Sequence, residues 1–405
     1  MRPVVRPRTA HAIIALGITQ IIGWGTTFYL PAIMARSIAE SLDLSPISVL
    51  GAYSWALLVS GLLSRRIGRL IDRFGAARPL AAASAMAATA LALHAVADGL
   101  ALIWLAWTII GLGMRAILYD GAFAALTALE GPGARRAISL LTLLGGLAST
   151  VFWPIGQALL EALGWRATLG VYAALNLLVC MPLHYRFSGS VASGSPERHD
   201  PKRPAPPPVS PDSERAVTLI ATAFALHAFI WSSLAVHLPQ LLKAFSLGTS
   251  AAVAVAAMMG PAQVVARSAE LFAQRWLSPV ALAVPVFGLL PLSLATLALP
   301  LRPELAAVVF VLIYGSSNGL LTILRGALPL TIIGPRGYGE LLGRIAAPSL
   351  IVSAVSPLVF GVALEAFGAD AAWLLFAAGI ACTLAAVLLV RHARTRMNRL
   401  GDSPP

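Results

Sequence analysis

A chain of 405 residues that is 58% hydrophobic and only 11% charged, with a mean hydropathy of +0.82, is not a soluble protein, where roughly a quarter of residues are charged. Its net charge of +12 would suit a nucleic-acid binder, but the basic residues fall between apolar segments rather than on one face or tail, as topology signals do. Cys180 and Cys382 both lie inside apolar runs, and with no Cys-x-x-Cys or His/Cys cluster nothing points to a disulfide framework, a metal or a cofactor.

Arg2, Arg6 and Arg8 precede an apolar run from Ala12 to Ala35. That run exceeds the ~7–15 residues of a signal core and no small-residue cleavage site follows it, so it reads as a retained first helix. About 20 apolar residues cross a bilayer. Candidate spans are His11–Ala35, Leu44–Ser64, Pro79–Ala97, Leu100–Leu126, Ala137–Leu160 and Ala167–Tyr185. After an interruption come Ala216–Leu242, Thr249–Ala266, Leu277–Leu299, Leu305–Ile333, Ile345–Leu364 and Ala371–Val390. The expected fold is all-α: twelve transmembrane helices in two six-helix bundles, 1–187 and 215–392. Between them, 188–214 is too rich in proline and charge to build a core and is expected as a cytoplasmic linker, with 393–405 as a tail.

Orientation follows from lysine and arginine counts in alternate loops. One side has Arg36, Arg166, Lys243 and Arg302; the other has the N-terminus, the loop at 68–78, Arg135, Arg136, the linker, Arg336, Arg344 and the basic tail. Both termini are therefore expected in the cytoplasm, with the protein in the inner (plasma) membrane.

The second loop of the basic side reads Gly68-Arg-Leu-Ile-Asp-Arg-Phe-Gly-Ala-Ala-Arg78. Its pattern Gly-x-Leu-x-Asp-Arg-x-Gly-x-x-Arg resembles the signature loop of the major facilitator superfamily, which joins the second and third membrane helices. Gly68, Leu70, Asp72, Arg73, Gly75 and Arg78 carry the match. Gly68 lets helix ends approach, Gly75 permits a tight turn, and Asp72 can face a helix N-terminus or a basic partner. The resemblance implies a cytoplasmic gate made by Gly68, Asp72, Arg73, Gly75 and Arg78. The plain alternative is that Arg65, Arg66, Arg69, Arg73 and Arg78 only hold the loop in the cytoplasm.

The halves resemble one another. Gln20, Trp24, Thr26 and Arg36 correspond in order to His227, Trp231, Ser233 and Lys243. Asp120-Gly121 corresponds to Arg325-Gly326, and Gly-Gln-Ala-Leu-Leu-Glu-Ala-Leu-Gly from Gly156 echoes Gly-Val-Ala-Leu-Glu-Ala-Phe-Gly from Gly361. Parallel pseudo-symmetric repeats are the facilitator architecture. The second-half loop, Arg267 to Pro279, keeps Arg267, Glu270 and Arg275 but lacks the Gly-Asp-Arg core.

Charged residues within a span are costly and are functional candidates by default. Three are expected inside: Arg115, Asp120 and Arg325. In the facilitator architecture the first, fourth, seventh and tenth helices line the cavity, so by resemblance these residues face it, with Gln20, Trp24, Tyr119, His227, Trp231 and Asn318. Arg115 and Asp120, about 140° apart round a helix, need not pair, whereas a bridge from Asp120 to Arg325 is open to either a structural or a transport role. Hydrogen bonding between helices is the alternative for Gln20 and His227, against which their recurrence in both halves favours the cavity, and helix packing accounts for Gly315 and Gly319.

No phosphate loop, Gly-x-Ser-x-Gly or paired catalytic carboxylates are present, so an enzyme is not expected. The reading is a monomeric secondary transporter of a small solute by alternating access, exporting it against protons with Asp120 as proton site. Uptake or exchange of a small organic anion on Arg115 and Arg325 is the alternative; a non-transporting sensor is a remoter one. Gly-Trp-Gly-Thr-Thr-Phe-Tyr at Gly23, Gly-Pro-Ala-Gln-Val-Val-Ala-Arg at Gly260 and Arg-Gly-Ala-Leu-Pro-Leu at Arg325 resemble bacterial facilitators that include arsenite exporters. Two membrane cysteines give no support for capturing arsenic on thiolates.

Overall fold

The structure, a computed structural model, describes residues 7–188 and 211–401. Among them the regular structure is helical throughout. The α-helices are α1 (Pro7–Gly23), α2 (Leu30–Ser41), α3 (Pro46–Phe74), α4 (Ala77–Ala95), α5 (Leu100–Ile117), α6 (Tyr119–Glu130), α7 (Arg135–Gly145), α8 (Ala148–Leu175) and α9 (Met181–Ser188). They continue with α10 (Pro211–Ala244), α11 (Thr249–Ala257), α12 (Met259–Ala273), α13 (Pro279–Ala295), α14 (Pro303–Ile332), α15 (Tyr338–Phe367) and α16 (Ala372–Gly401). Most of the expected linker lies outside the described residues, but 211–214 is the first turn of α10.

Among the described residues, eight stretches are long and apolar enough to cross a membrane. One of them, Leu100–Arg186, is cut into three rods by left-handed glycines at Gly131 and Gly164, and Tyr338–Thr395 is cut into two at Gly368. With α4, that gives the twelve expected helices. Large apolar side chains cover the outside, Leu178 being 71% and Phe272 74% exposed, which suits lipid and not water.

The helices start where local chemistry allows. Ser45 accepts from Ser48 N–H (3.2 Å) and Pro46 opens α3; Ser278 accepts from Ala281 N–H (3.1 Å) and Pro279 opens α13. Each pair satisfies a donor that a helix start leaves free. Gly164, at φ +75°, breaks α8 before Trp165. Trp165 Nε1–H then donates to Ser41 Oγ (2.7 Å), and Arg166, lying over the Trp165 ring, donates to Ala97 O (2.8 Å). Gly-Trp-Arg thereby pins one loop end of its bundle.

Two compact units divide the chain: Met1–Pro207 with Pro335–Gly343, and Pro208–Gly334 with Arg344–Pro405. In the first, α3 and α4 pack on α5 over a core that includes Leu30, Met34, Ala56, Trp107, Leu169 and Tyr172. In the second, α10 and α13 pack on α16, and α12 on α14, with Phe224 edge-on to Phe287 in the core. The two cysteines are free, and Cys382 donates to Ala223 O (3.0 Å).

Candidate functional site

In the first unit the expected cavity residues gather round a break in the fourth span. Leu118 leaves the helical region, at φ −91° and ψ −170°, so α5 stops at Ile117 and α6 starts at Tyr119. The N–H of Gly121, which would have served Ile117 in a continuous helix, bonds instead to Leu118 O (3.2 Å). Ile117 O is freed inside the bundle, where an unpaired carbonyl is costly. Gln20 Nε2 donates to it at 2.9 Å.

Gln20 also accepts from Trp24 Nε1–H through Oε1 (3.2 Å), and the Trp24 ring lies 5.2 Å from that of Tyr119. Tyr119 stacks on Phe123 at 5.4 Å. Gln20, Trp24 and Tyr119 thus form one contiguous cluster. Trp24 opens a π-helical turn, Trp24–Phe28, and a second runs from Asn176 to Cys180. Asn176 Nδ2–H donates to Thr26 Oγ1 (2.9 Å) and so joins the two turns. Wide turns of this kind concentrate at functional sites, and nothing in the residue pattern marked them.

On a continuous helix Arg115 and Asp120 need not pair. They form an ion pair, with Arg115 only 4% and Asp120 8% exposed. The expectation assumed a continuous helix; the break at Leu118 re-aims α6 and brings the carboxylate to the guanidinium. Arg115 ends α5 and Asp120 starts α6, where each helix dipole favours a charge of that sign. The bridge expected between Asp120 and Arg325 would join residues of different units; within its own unit, Asp120 meets Arg115.

In the second unit His227 Nε2 meets Asn318 Oδ1 at 3.0 Å, linking α10 to α14. Trp231 is half-buried one turn further along α10, and Arg325 is half-buried in α14, which runs on without a break at that point. Gly315 and Gly319 pack against α12, as their spacing suggested: a Cβ on Gly319 would lie 2.8 Å from Gln263 O. A cleft of 630 Å³ lies between α10 and α15, walled by Val217, Ala221, Ala225, Phe229 and Val352, with Arg344 at one end. Arg344 is paired there with Glu214. His227 is not in that wall.

Two charges escaped the sequence reading. Arg267 and Glu270, assigned to a loop, are in α12 and are each 4% exposed. The polar residues before Pro279 suggested a loop, but the helix runs to Ala273. His237, half-buried in α10, bonds through Nε2 to Pro357 O (2.9 Å).

The signature loop also finds a partner in its own unit. Asp72 Oδ1 accepts from Gly339 N–H and Oδ2 from Glu340 N–H, both at 2.8 Å, so its carboxylate caps the start of α15. Arg65 Nε reaches Glu340 Oε1 at 2.7 Å. The contact needs small residues: a Cβ on Gly68 would lie 2.1 Å from Gly339 O. Gly75 ends α3 at φ +74°; Arg73 lies against Phe74 and Arg78 is exposed in the first turn of α4.

The family model for the Major Facilitator Superfamily matches residues 14–343. The chain belongs to that superfamily. No protein of curated function matches it by sequence. Among solved structures this facilitator is similar to the human organic anion transporter MFSD10 (TETRAN), at 15% identity and TM-score 0.71, over 95% of this chain and 100% of the other. It is also similar to the proton:xylose symporter XylE bound to 6-bromo-6-deoxy-D-glucose, at 12% identity and TM-score 0.68, over 94% and 95%. FucP in its outward conformation follows at 12% and 0.67, over 95% and 99%. Identities this low carry the fold alone. A facilitator is a multi-pass membrane protein and a secondary transporter of small molecules, not an enzyme.

Proposed function

We propose that this facilitator exports a small solute in exchange for protons, with Asp120 as the proton-carrying group. The observation that carries the reading is the buried ion pair of Arg115 with Asp120 at a break in a membrane helix. A charged pair inside a span is expensive and is kept where it works, and broken helices are where secondary transporters bind ions and substrates. Protonating Asp120 releases Arg115, which then has a free charge to offer; deprotonation restores the pair. Substrate contacts are assigned to Gln20, Trp24, Arg115, Tyr119 and Asp120 of the first unit and His227, Trp231, Asn318 and Arg325 of the second. Gly68, Asp72, Arg73, Gly75 and Arg78 form the cytoplasmic gate, supported by the cap that Asp72 places on α15. The protein works as a monomer in the inner membrane, with both termini and the linker 188–214 in the cytoplasm.

One observation favours a second reading, uptake or exchange of a small organic anion. Arginines outnumber carboxylates inside the spans: Arg115, Arg267 and Arg325 against Asp120 and Glu270.

Purified protein in vesicles holding a pH-sensitive dye decides between them. A panel of metalloids, cationic drugs and carboxylates is offered under an imposed pH gradient. Proton movement opposite to a solute, lost in Asp120→Asn, supports export; proton movement with a carboxylate, or carboxylate exchange that ignores pH, supports the second reading. Flux that survives Asp120→Asn with unchanged pH dependence removes Asp120 from the proton path.

A further inference from the structure

Arg267 and Glu270 take no part in the pair at the α5–α6 break, yet both are buried in α12. Arg267 serves acceptors on two helices. Its Nε donates to Gly319 O (3.3 Å); its Nη2 donates to Gln263 Oε1 (3.1 Å) and to Thr322 Oγ1 (3.4 Å). The helices lie close enough for this because α14 presents glycine: a Cβ on Gly315 would be 2.9 Å from Met259 O. Met259 stands against Gly315, Gln263 against Gly319 and Arg267 against Thr322.

From Thr322 the bonding continues toward the cavity residues. Thr322 Oγ1–H donates to Asn318 O (3.0 Å), one turn back, and Asn318 Oδ1 faces His227 Nε2. The direction of this chain is set by chemistry. Arginine only donates, so the Thr322 oxygen accepts from Arg267, and its single proton goes to Asn318 O. With Asn318 Oδ1 as acceptor, His227 carries its proton on Nε2, and the bond keeps that nitrogen from acting as a nucleophile.

We infer that Arg267 is a positioning residue for the second unit's cavity face: it holds the turn Asn318–Thr322 of α14 and so fixes Asn318 on His227. A guanidinium is suited to this because its rigid fork reaches several acceptors at once, where a lysine offers a point charge on a flexible stem. Its consequence for transport rests on the proposed role of His227 and Asn318 in the cavity; the hydrogen-bond chain does not.

The test therefore reads His227 directly and needs no substrate. Purified wild type and variants in detergent are treated with diethyl pyrocarbonate, which acylates accessible imidazole nitrogens, and the rate at His227 is read from its peptide by mass spectrometry. Asn318→Ala should raise the rate about three- to tenfold, the factor that corresponds to one hydrogen bond. Arg267→Gln should raise it similarly and Arg267→Lys less. Arg267→Gln removes a buried charge and risks misfolding, so Thr322→Val provides the second test, since it cuts the chain and leaves every charge in place. It too should raise the rate, and the double variant with Asn318→Ala should react no faster than Asn318→Ala alone, as members of one chain do. His94, buried in the first unit, should stay at its wild-type rate throughout and reports the fold. The inference is overturned if Thr322→Val and Arg267→Gln leave His227 at the wild-type rate, if Asn318→Ala itself changes nothing, or if the double variant shows multiplied effects. A failure to find a pH-coupled solute would sink the proposed function and leave this result standing.

Discussion

Arg115 and Asp120 pair across a helix break that the chain makes at a leucine. Five residues apart on a continuous helix they would point about 140° away from each other. The extended backbone at Leu118 removes that angle, and Gln20 caps the carbonyl that the break exposes. Pair, break and cap are one device: without the cap the break leaves an orphan carbonyl, and without the break the pair has no geometry.

Removing one partner of the pair should therefore cost more than removing both. Asp120→Asn or Arg115→Gln alone leaves a buried charge uncompensated, about 3–5 kcal/mol. The double variant should recover most of that loss, measured as the melting temperature of the detergent-solubilised protein. Additive losses would show that the two charges stabilise the fold independently. If Asp120 also carries the proton, the double variant folds but no longer concentrates solute against a gradient.

Gln20→Leu keeps the volume and removes the cap. Ile117 O is then buried without a donor, at a cost of about 1–3 kcal/mol, and Trp24 loses its acceptor. The expected result is a lower melting temperature together with a shift in tryptophan emission. An unchanged melting temperature would mean that water reaches the break and satisfies Ile117.

The spans were legible because a bilayer imposes length and apolarity on every crossing. Gly315 and Gly319 were legible as a packing pair because close helix contact needs small residues four apart. The break at Leu118 was not, since leucine is a strong helix former and neither glycine nor proline occupies the position. Tertiary bonding decides there: Gln20 and the ion pair reward the open conformation. Arg267 and Glu270 were misplaced for the opposite reason. Charge ordinarily marks the end of a span, and only the acceptors on α14, at Gly319 and Thr322, show why Arg267 continues inside.

Gly164 should not accept a side chain. At φ +75° and ψ 167° it occupies a region open essentially to glycine, so Gly164→Ala should lose about 1–3 kcal/mol through strain. Trp165→Phe should lose about 1 kcal/mol, because only the bond to Ser41 goes and the ring remains beneath Arg166. Melting temperatures of the two variants check the order. Equal losses would mean that the loop pinning, not the backbone conformation, is what Gly164 serves.

The cap of Asp72 on α15 gives the gate proposal a direct test. Both carboxylate oxygens accept backbone N–H groups at 2.8 Å, from Gly339 and Glu340, and a full negative charge at a helix start is favoured by its dipole. Asp72→Asn keeps one acceptor and loses the charge; Asp72→Ala loses both acceptors. Transport should fall in that order, alanine below asparagine, while membrane insertion stays at the wild-type level because Asp72 is at the solvent-exposed end of α3. Gly68→Ala reaches the same contact without touching charge. Its Cβ would lie 2.1 Å from Gly339 O, so the α15 start must move off α3 and the cap with it. Flux in vesicles beside the amount of inserted protein measures all three. If the cap gates transport, Gly68→Ala should resemble Asp72→Ala although its charge is that of the wild type. Full flux in Asp72→Ala with normal insertion would leave the loop as a topology signal and nothing more.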